Sequence, residues 1–188
     1  WQEIVSQPEV WTATWKRLQA GREAWSDLLF SQCWDAILFV GCGSTHYLSL
    51  AAASLHQQLT GQRVRGVPAS ELVYFSSGVY PDILGLQMLL VALSRSGETT
   101  ETLWAVQQHR QRGLPALAIT CRAGGPVALE STLAFAAEDA VEASVPQTRS
   151  FTSMLLATHY LAGLVAGGDS YLAGLERLPG LCRSLLDG

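Results

Sequence analysis

The chain has 188 residues, 48% of them apolar and only 15% charged, with a formal net charge of −4. That length supports one domain with a sizeable core, and the acidic balance, with Lys16 as the only lysine, excludes a general nucleic-acid binder. No uninterrupted apolar run reaches the roughly 18 residues that a membrane-spanning helix needs, so the scarcity of charge implies a surface covered by a partner chain or a missing domain.

Cys33, Cys42, Cys121 and Cys182 form no CxxC pair, and their spacings match neither a zinc site nor a disulfide framework. Four free thiols and the lack of a signal peptide place the chain in the cytoplasm by expectation. It begins at Trp1 rather than Met and is expected to be a piece of something longer.

The opening WQEIVSQPEVWTATWKRLQAG carries Ile4, Trp11, Trp15 and Leu18 at helical spacing, with Gly21 as its stop. Pro8 suits a helix start, with Gln2 to Ser6 leading in. Residues 1–22 therefore read as a helical arm, docked either on its own core or on another subunit, and 23–188 as the main domain. DAILFV is a first apolar strand, followed by the helix STHYLSLAAASLHQQLTG. RVRGVPA is a weaker strand and SELVYFSS a short helix. MLLVALS is a fully buried strand, and TTETLWAVQQHRQRG a helix closed by Gly113. PALAITC, the short helix in GGPVALES and the strand TLAFAA come next. The long helix SFTSMLLATHYLAGLVAG and the helical SYLAGLERLPGLCRSLLDG complete the chain. Strands without polar alternation, separated by helices, call for a parallel sheet covered on both faces. Counting the weak strand, the prediction is a doubly wound α/β domain with five parallel strands.

Ligands of open parallel sheets sit at the carboxyl ends of the strands, near the point where strand order reverses. Two of the turns there are unusual. In FVGCGSTHY, Gly41 and Gly43 offer special backbone conformations and Ser44 and Thr45 open a helix, whose free N–H groups and dipole suit an anion. The turn is neither a full GxGxxG nor a Walker loop, and a tight turn capped by Ser44 or Thr45 explains it as well. In LSRSGETTET, Ser94, Ser96 and Thr99 set three hydroxyls around Gly97, more than capping one helix requires. Hydroxyls with backbone N–H groups hold a phosphate without a metal ion, and two such turns together point to a phosphate cradle. Glu98 and Glu101 argue against a highly charged nucleotide, although at a helix start they also favour the dipole.

GCGST, followed about fifty residues later by SRSGETTET, resembles the sugar isomerase (SIS) domain family. The likeness is to the isomerase half of glucosamine-6-phosphate synthases, with EASVPQTRSFTSML similar to the segment before a long helix in those proteins. EIVSQPEVWTATW with RSFTSMLLA also resembles the tagatose-6-phosphate ketose/aldose isomerase branch. The resemblance implies a flavodoxin-like strand order and a hexose- or hexosamine-phosphate ligand without cofactor or metal. By position, Ser94, Arg95, Ser96, Gly97 and Thr99 would hold the phosphate with Thr45. Cys42, Gly43 and Ser44 would lie along the sugar, and Val145 and Gln147 would close over it. Arg95 replaces the family's glutamine, adding charge for phosphate, and Gln147 replaces a serine.

The implied activity is aldose–ketose interconversion or deamination of an amino-sugar phosphate. The alternative is a non-catalytic module that senses a sugar phosphate. Interconversion needs a base and ring-opening groups, which in the resembled enzymes come from a second SIS domain and a dimer partner. This chain is expected to carry the binding half and to work as a homodimer or paired with a second SIS domain. A catalytic thiol at Cys42 is not supported, because nothing places a base beside it. His46 either packs or serves as an acid–base group, while His56, His109 and His159 read as structural. Glu142 either orients the third segment or stands solvated. Arg149 either adds charge near the ligand or pairs with a carboxylate.

Overall fold

The computed structural model describes residues 1–80 and 85–188. Its centre is a five-stranded sheet made of β1 (Ala36–Gly41), β2 (Val64–Pro68), β3 (Met88–Ser94), β4 (Ala116–Thr120) and β5 (Leu133–Ala136). All neighbours pair in parallel, in the order β2-β1-β3-β4-β5. This is the predicted doubly wound α/β fold, with β2, the weak strand, at an edge.

The helices divide between the two faces. Gln2–Val5 (α1), Gln7–Ala20 (α2), Arg22–Leu29 (α3) and Ser44–Thr60 (α4) come first; Ala69–Tyr74 (α5), Ser76–Val79 (α6), Thr100–Gln111 (α7) and Pro126–Glu130 (α8) follow. Arg149–Val165 (α9), Asp169–Glu176 (α10) and Leu178–Asp187 (α11) close the chain. Along β1, Ile37 and Phe39 face the layer with α2, α3, α4 and α9, whereas Leu38 and Val40 face the layer with α5 and α7. β3 alternates the same way, Leu89, Val91 and Leu93 against Met88, Leu90 and Ala92. A strand sandwiched between two layers has no polar face, which explains runs such as MLLVALS; each fully buried leucine contributes about 2 kcal/mol through apolar burial.

The first helices dock on this chain's own core. The Trp15 ring meets Tyr160 of α9 edge-on at 5.5 Å, and the Trp11 indole N–H donates to the Thr152 hydroxyl at 2.9 Å. Pro8 sits in the first turn of α2, where its missing N–H costs nothing. Gly21 ends α2 but does not end the helical region. The sequence pattern missed α3, whose Trp25 and Leu29 are buried; eight residues give too little periodicity to register. The expected single helix over SELVYFSS breaks at Phe75 into α5 and α6, in a stretch of Ser and Gly that favours turns. The terminal helical segment likewise splits at Arg177, because Pro179 fits the first turn of a new helix better than a helix interior.

Candidate functional site

After β1 the chain runs to β2 on one side, and later returns as β3 on the other. The reversal point therefore lies between the carboxyl ends of β1 and β3, where the two unusual turns emerge. The turns are tied together: the Thr102 hydroxyl, in the first turn of α7, approaches Cys42 Sγ at 3.7 Å.

In the first turn Gly43 has φ 59° and ψ −125°, a region open only to glycine. Gly41 is different from expectation: its backbone is ordinary, and what it supplies is space, since a Cβ there would lie 2.6 Å from the Thr45 carbonyl. The Thr45 side chain is buried and closes its own turn, accepting the Cys42 N–H at 3.0 Å and donating to the Cys42 carbonyl at 2.9 Å. Gly43 and Ser44 are exposed. Among the described residues no side chain caps α4. Burial, with a smaller push from the Glu101 charge, raises the half-buried Cys42 thiol above its usual range. It is therefore a thiol and not a thiolate at neutral pH.

The second turn organises itself around Ser94. Its Oγ accepts the Gly97 N–H at 3.1 Å and lies 3.3 Å from the Thr99 hydroxyl. Ser96 Oγ accepts the Glu98 N–H at 3.2 Å. Thr99, the residue preceding α7, makes no side-chain cap, so the hydroxyls shape the loop rather than stopper the helix. The first N–H groups of α7 thus remain without a side-chain partner among the described residues, at the positive end of the helix dipole. Gly97 has φ 69°, and its carbonyl accepts the Val127 N–H at 2.9 Å, fastening the turn to α8.

The Arg95 guanidinium donates to the carbonyls of Ser144 and Val145 at 2.9 and 3.2 Å. The structure thereby brings the third segment against the second turn. Val145 is 86% exposed, while Gln147 carries a buried Oε1 without a partner among the described residues. Glu142 orients the segment: its carboxylate accepts the Thr148 N–H at 3.0 Å and both the Thr148 and Ser150 hydroxyls. Burial alone would raise the Glu142 pKa, but these donors and the nearby Arg95 charge together hold it below the usual carboxylate value. Arg149 pairs with no carboxylate among the described residues and donates to the Ser6 hydroxyl at 3.0 Å and to the Val141 carbonyl. His46 packs half-buried against Tyr47.

Beside the second turn lies a cleft of about 450 Å³ lined in part by Glu98, Arg122, Gly125 and Glu138. It borders a smaller hollow of about 90 Å³ between Arg95, Ser96, Arg122 and Glu142. Arg122 makes no ion pair among the described residues. It was not singled out from sequence, although the turn leaving β4 sits at a strand carboxyl end like the other two. The described residues contain no group of three or more His, Cys, Asp or Glu side chains able to hold a metal ion.

Comparison with known proteins agrees with this geometry. The SIS domain profile matches residues 32–164, most of the chain. Glutamine–fructose-6-phosphate aminotransferase (isomerizing) of Chlamydia pneumoniae is 30% identical over 98% of this chain and 32% of its own length. The structure of glucosamine-6-phosphate deaminase from Thermotoga maritima superposes with a TM-score of 0.77 at 27% identity, covering 99% of this chain and 54% of that one. Tagatose-6-phosphate ketose/aldose isomerase from Escherichia coli shares the fold, with a TM-score of 0.79 at 23% identity over 98% of this chain and 52% of that one. The chain thus spans about a third of that curated relative and about half of those solved structures. With its profile match, its strand order and its paired turns, the chain belongs to the SIS domain family.

Proposed function

We propose that this chain is the phosphosugar-binding domain of a sugar-phosphate isomerase or amino-sugar-phosphate deaminase. The phosphate is held by Ser94, Ser96, Thr99 and the N-terminus of α7, and the sugar extends along Cys42, Gly43 and Ser44 towards Val145 and Gln147. One observation carries the reading: at the reversal point of the sheet, α7 starts without a side-chain cap inside a turn with three hydroxyls. The buried Gln147 Oε1, without a partner among the described residues, is the kind of acceptor that a sugar hydroxyl satisfies. Arg95 and Arg122 supply positive charge beside the turn.

The acid and base of the chemistry come from outside this chain, in a second SIS domain or a second copy. Of the histidines, His56 and His109 are fully buried and His159 is turned to Tyr171, so only His46, half-buried at the start of α4, lies near the sugar path. Exposed Tyr74 and Phe75 at the end of α5 and Trp104 on the adjoining α7 supply an apolar surface for such a partner. Isothermal calorimetry with fructose-6-phosphate and glucosamine-6-phosphate tests the proposal. Ser96→Ala and Thr99→Ala are each expected to weaken binding by about 1–2 kcal/mol, the scale on which the loss of one hydrogen bond is felt. Unchanged affinity in both variants refutes the cradle. Binding without turnover by the complete protein instead marks a sensing module.

A further inference from the structure

The peptide unit at Ser144 is held from two directions by side chains remote in sequence. From the N-terminal helix α1, Glu3 Oε1 accepts the Ala143 N–H at 2.7 Å and the Ser144 N–H at 3.3 Å. From the second turn, Arg95 takes the Ser144 and Val145 carbonyls. The next residues of the helical arm continue the attachment. Ser6 accepts from Arg149 at 3.0 Å, while Gln7 Oε1 accepts from the Thr152 hydroxyl at 2.8 Å. Segment 141–148 is therefore a strap with one side bound to the arm and the other to the phosphate turn, its downstream end fixed by Glu142.

We infer that α1 is a positioning element of the sugar-binding site. Glu3 holds the strap residues Val145 and Gln147 in place for the sugar portion of a phosphosugar, and it touches no ligand itself. The inference rests on the phosphosugar reading above. An exposed strap lacking regular secondary structure loses conformational freedom when it binds, and fixing it beforehand removes that cost. A carboxylate accepting two adjacent N–H groups is a strong local anchor because the acceptor is charged. Arg95, opposite it, supplies the complementary charge, so the strap lies between a fixed anion and a fixed cation. The arrangement separates the two ends of the ligand. The phosphate meets hydroxyls and N–H groups that Glu3 does not reach, whereas the sugar meets the strap.

The test compares wild type with Glu3→Ala and Glu3→Gln in two measurements. Amide hydrogen exchange should accelerate at Ala143 and Ser144 in Glu3→Ala and less so in Glu3→Gln, whose amide oxygen still accepts. Calorimetry with fructose-6-phosphate should show about fivefold to tenfold weaker binding for Glu3→Ala, the scale on which a preordered segment contributes, with recovery in Glu3→Gln. Inorganic phosphate should bind all three proteins equally. Unchanged exchange at Ala143 and Ser144 overturns the inference. So does an equal loss of affinity for phosphate and sugar phosphate, because that would mark general destabilisation. Should the wild type bind neither ligand, the phosphosugar reading fails and takes this inference with it; binding without a split between the two ligands removes the inference alone.

Discussion

His109 lies on α7 with no solvent exposure, Nε2 at 3.2 Å from the Met88 carbonyl and Nδ1 at 2.7 Å from the Tyr80 hydroxyl. A carbonyl only accepts, so Nε2 carries the proton and Nδ1 accepts from Tyr80. Burial, helped by the charges of Arg112 and Arg110, lowers the His109 pKa to about 4. In the unfolded chain a histidine titrates near ~6.5. Between those values the unfolded state binds a proton that the folded state refuses, so stability falls as pH is lowered. From about pH 8 to about pH 5 this group alone should remove roughly 2 kcal/mol of unfolding free energy, a large part of a typical margin. His56 and His159 are also depressed by burial and act in the same direction, so the contribution must be isolated by difference. Urea unfolding of wild type and His109→Gln, followed by tryptophan fluorescence across that pH range, provides it. The variant should be less stable at high pH, and the gap should shrink by roughly 2 kcal/mol towards low pH. A gap that stays constant with pH refutes the reasoning.

Two further substitutions probe the site end of the sheet. Gly97→Ala forces a side chain onto φ 69° and brings its Cβ to 3.1 Å from the Thr120 hydroxyl and 3.3 Å from Gly125 Cα; thermal denaturation should show a loss of about 1–3 kcal/mol. Glu142→Gln should cost about 1 kcal/mol through weaker anchoring of Thr148 and Ser150. Because the wild-type carboxyl is held below its usual value, its contribution is present above the ordinary carboxylate pKa and is lost as pH falls through the folded value. Melting curves of wild type and variant should therefore converge in acid and differ at neutral pH.

The sheet was legible because its strands are short apolar runs bounded by turn residues, and covering both faces leaves no other use for such runs. α3 was not, since Gly21 resembles a terminus and Trp25 and Leu29 alone make no period. The two turns could be recognised as special from their glycines and hydroxyls, which are local features. Arg95 shows where local reading stops. Its charge is readable beside the hydroxyl turn, but the hold of its guanidinium on the carbonyls of Ser144 and Val145 is not, being a pairing set by how β3 and the segment before α9 meet. Glu3 meets the strap across 140 positions of chain, a separation at which no motif carries information. The resemblance puts Thr45 at the phosphate; what no sequence pattern shows is that its hydroxyl also closes the turn on the backbone of Cys42, in the tight geometry after Gly41.

The turn after β3 is stitched by its own hydroxyls, with Ser94 bonded to the Gly97 N–H and Ser96 to the Glu98 N–H. These bonds form during folding and are independent of any guest. Under the proposed function, a phosphate at this turn would exchange its hydration for donors whose directions are already set, so that little ordering entropy would remain to be lost on binding. On that reading the phosphate end of the site is a preformed mould, and the strap, held by a helix 140 positions away in sequence, is the wall through which a distant change would reach the sugar.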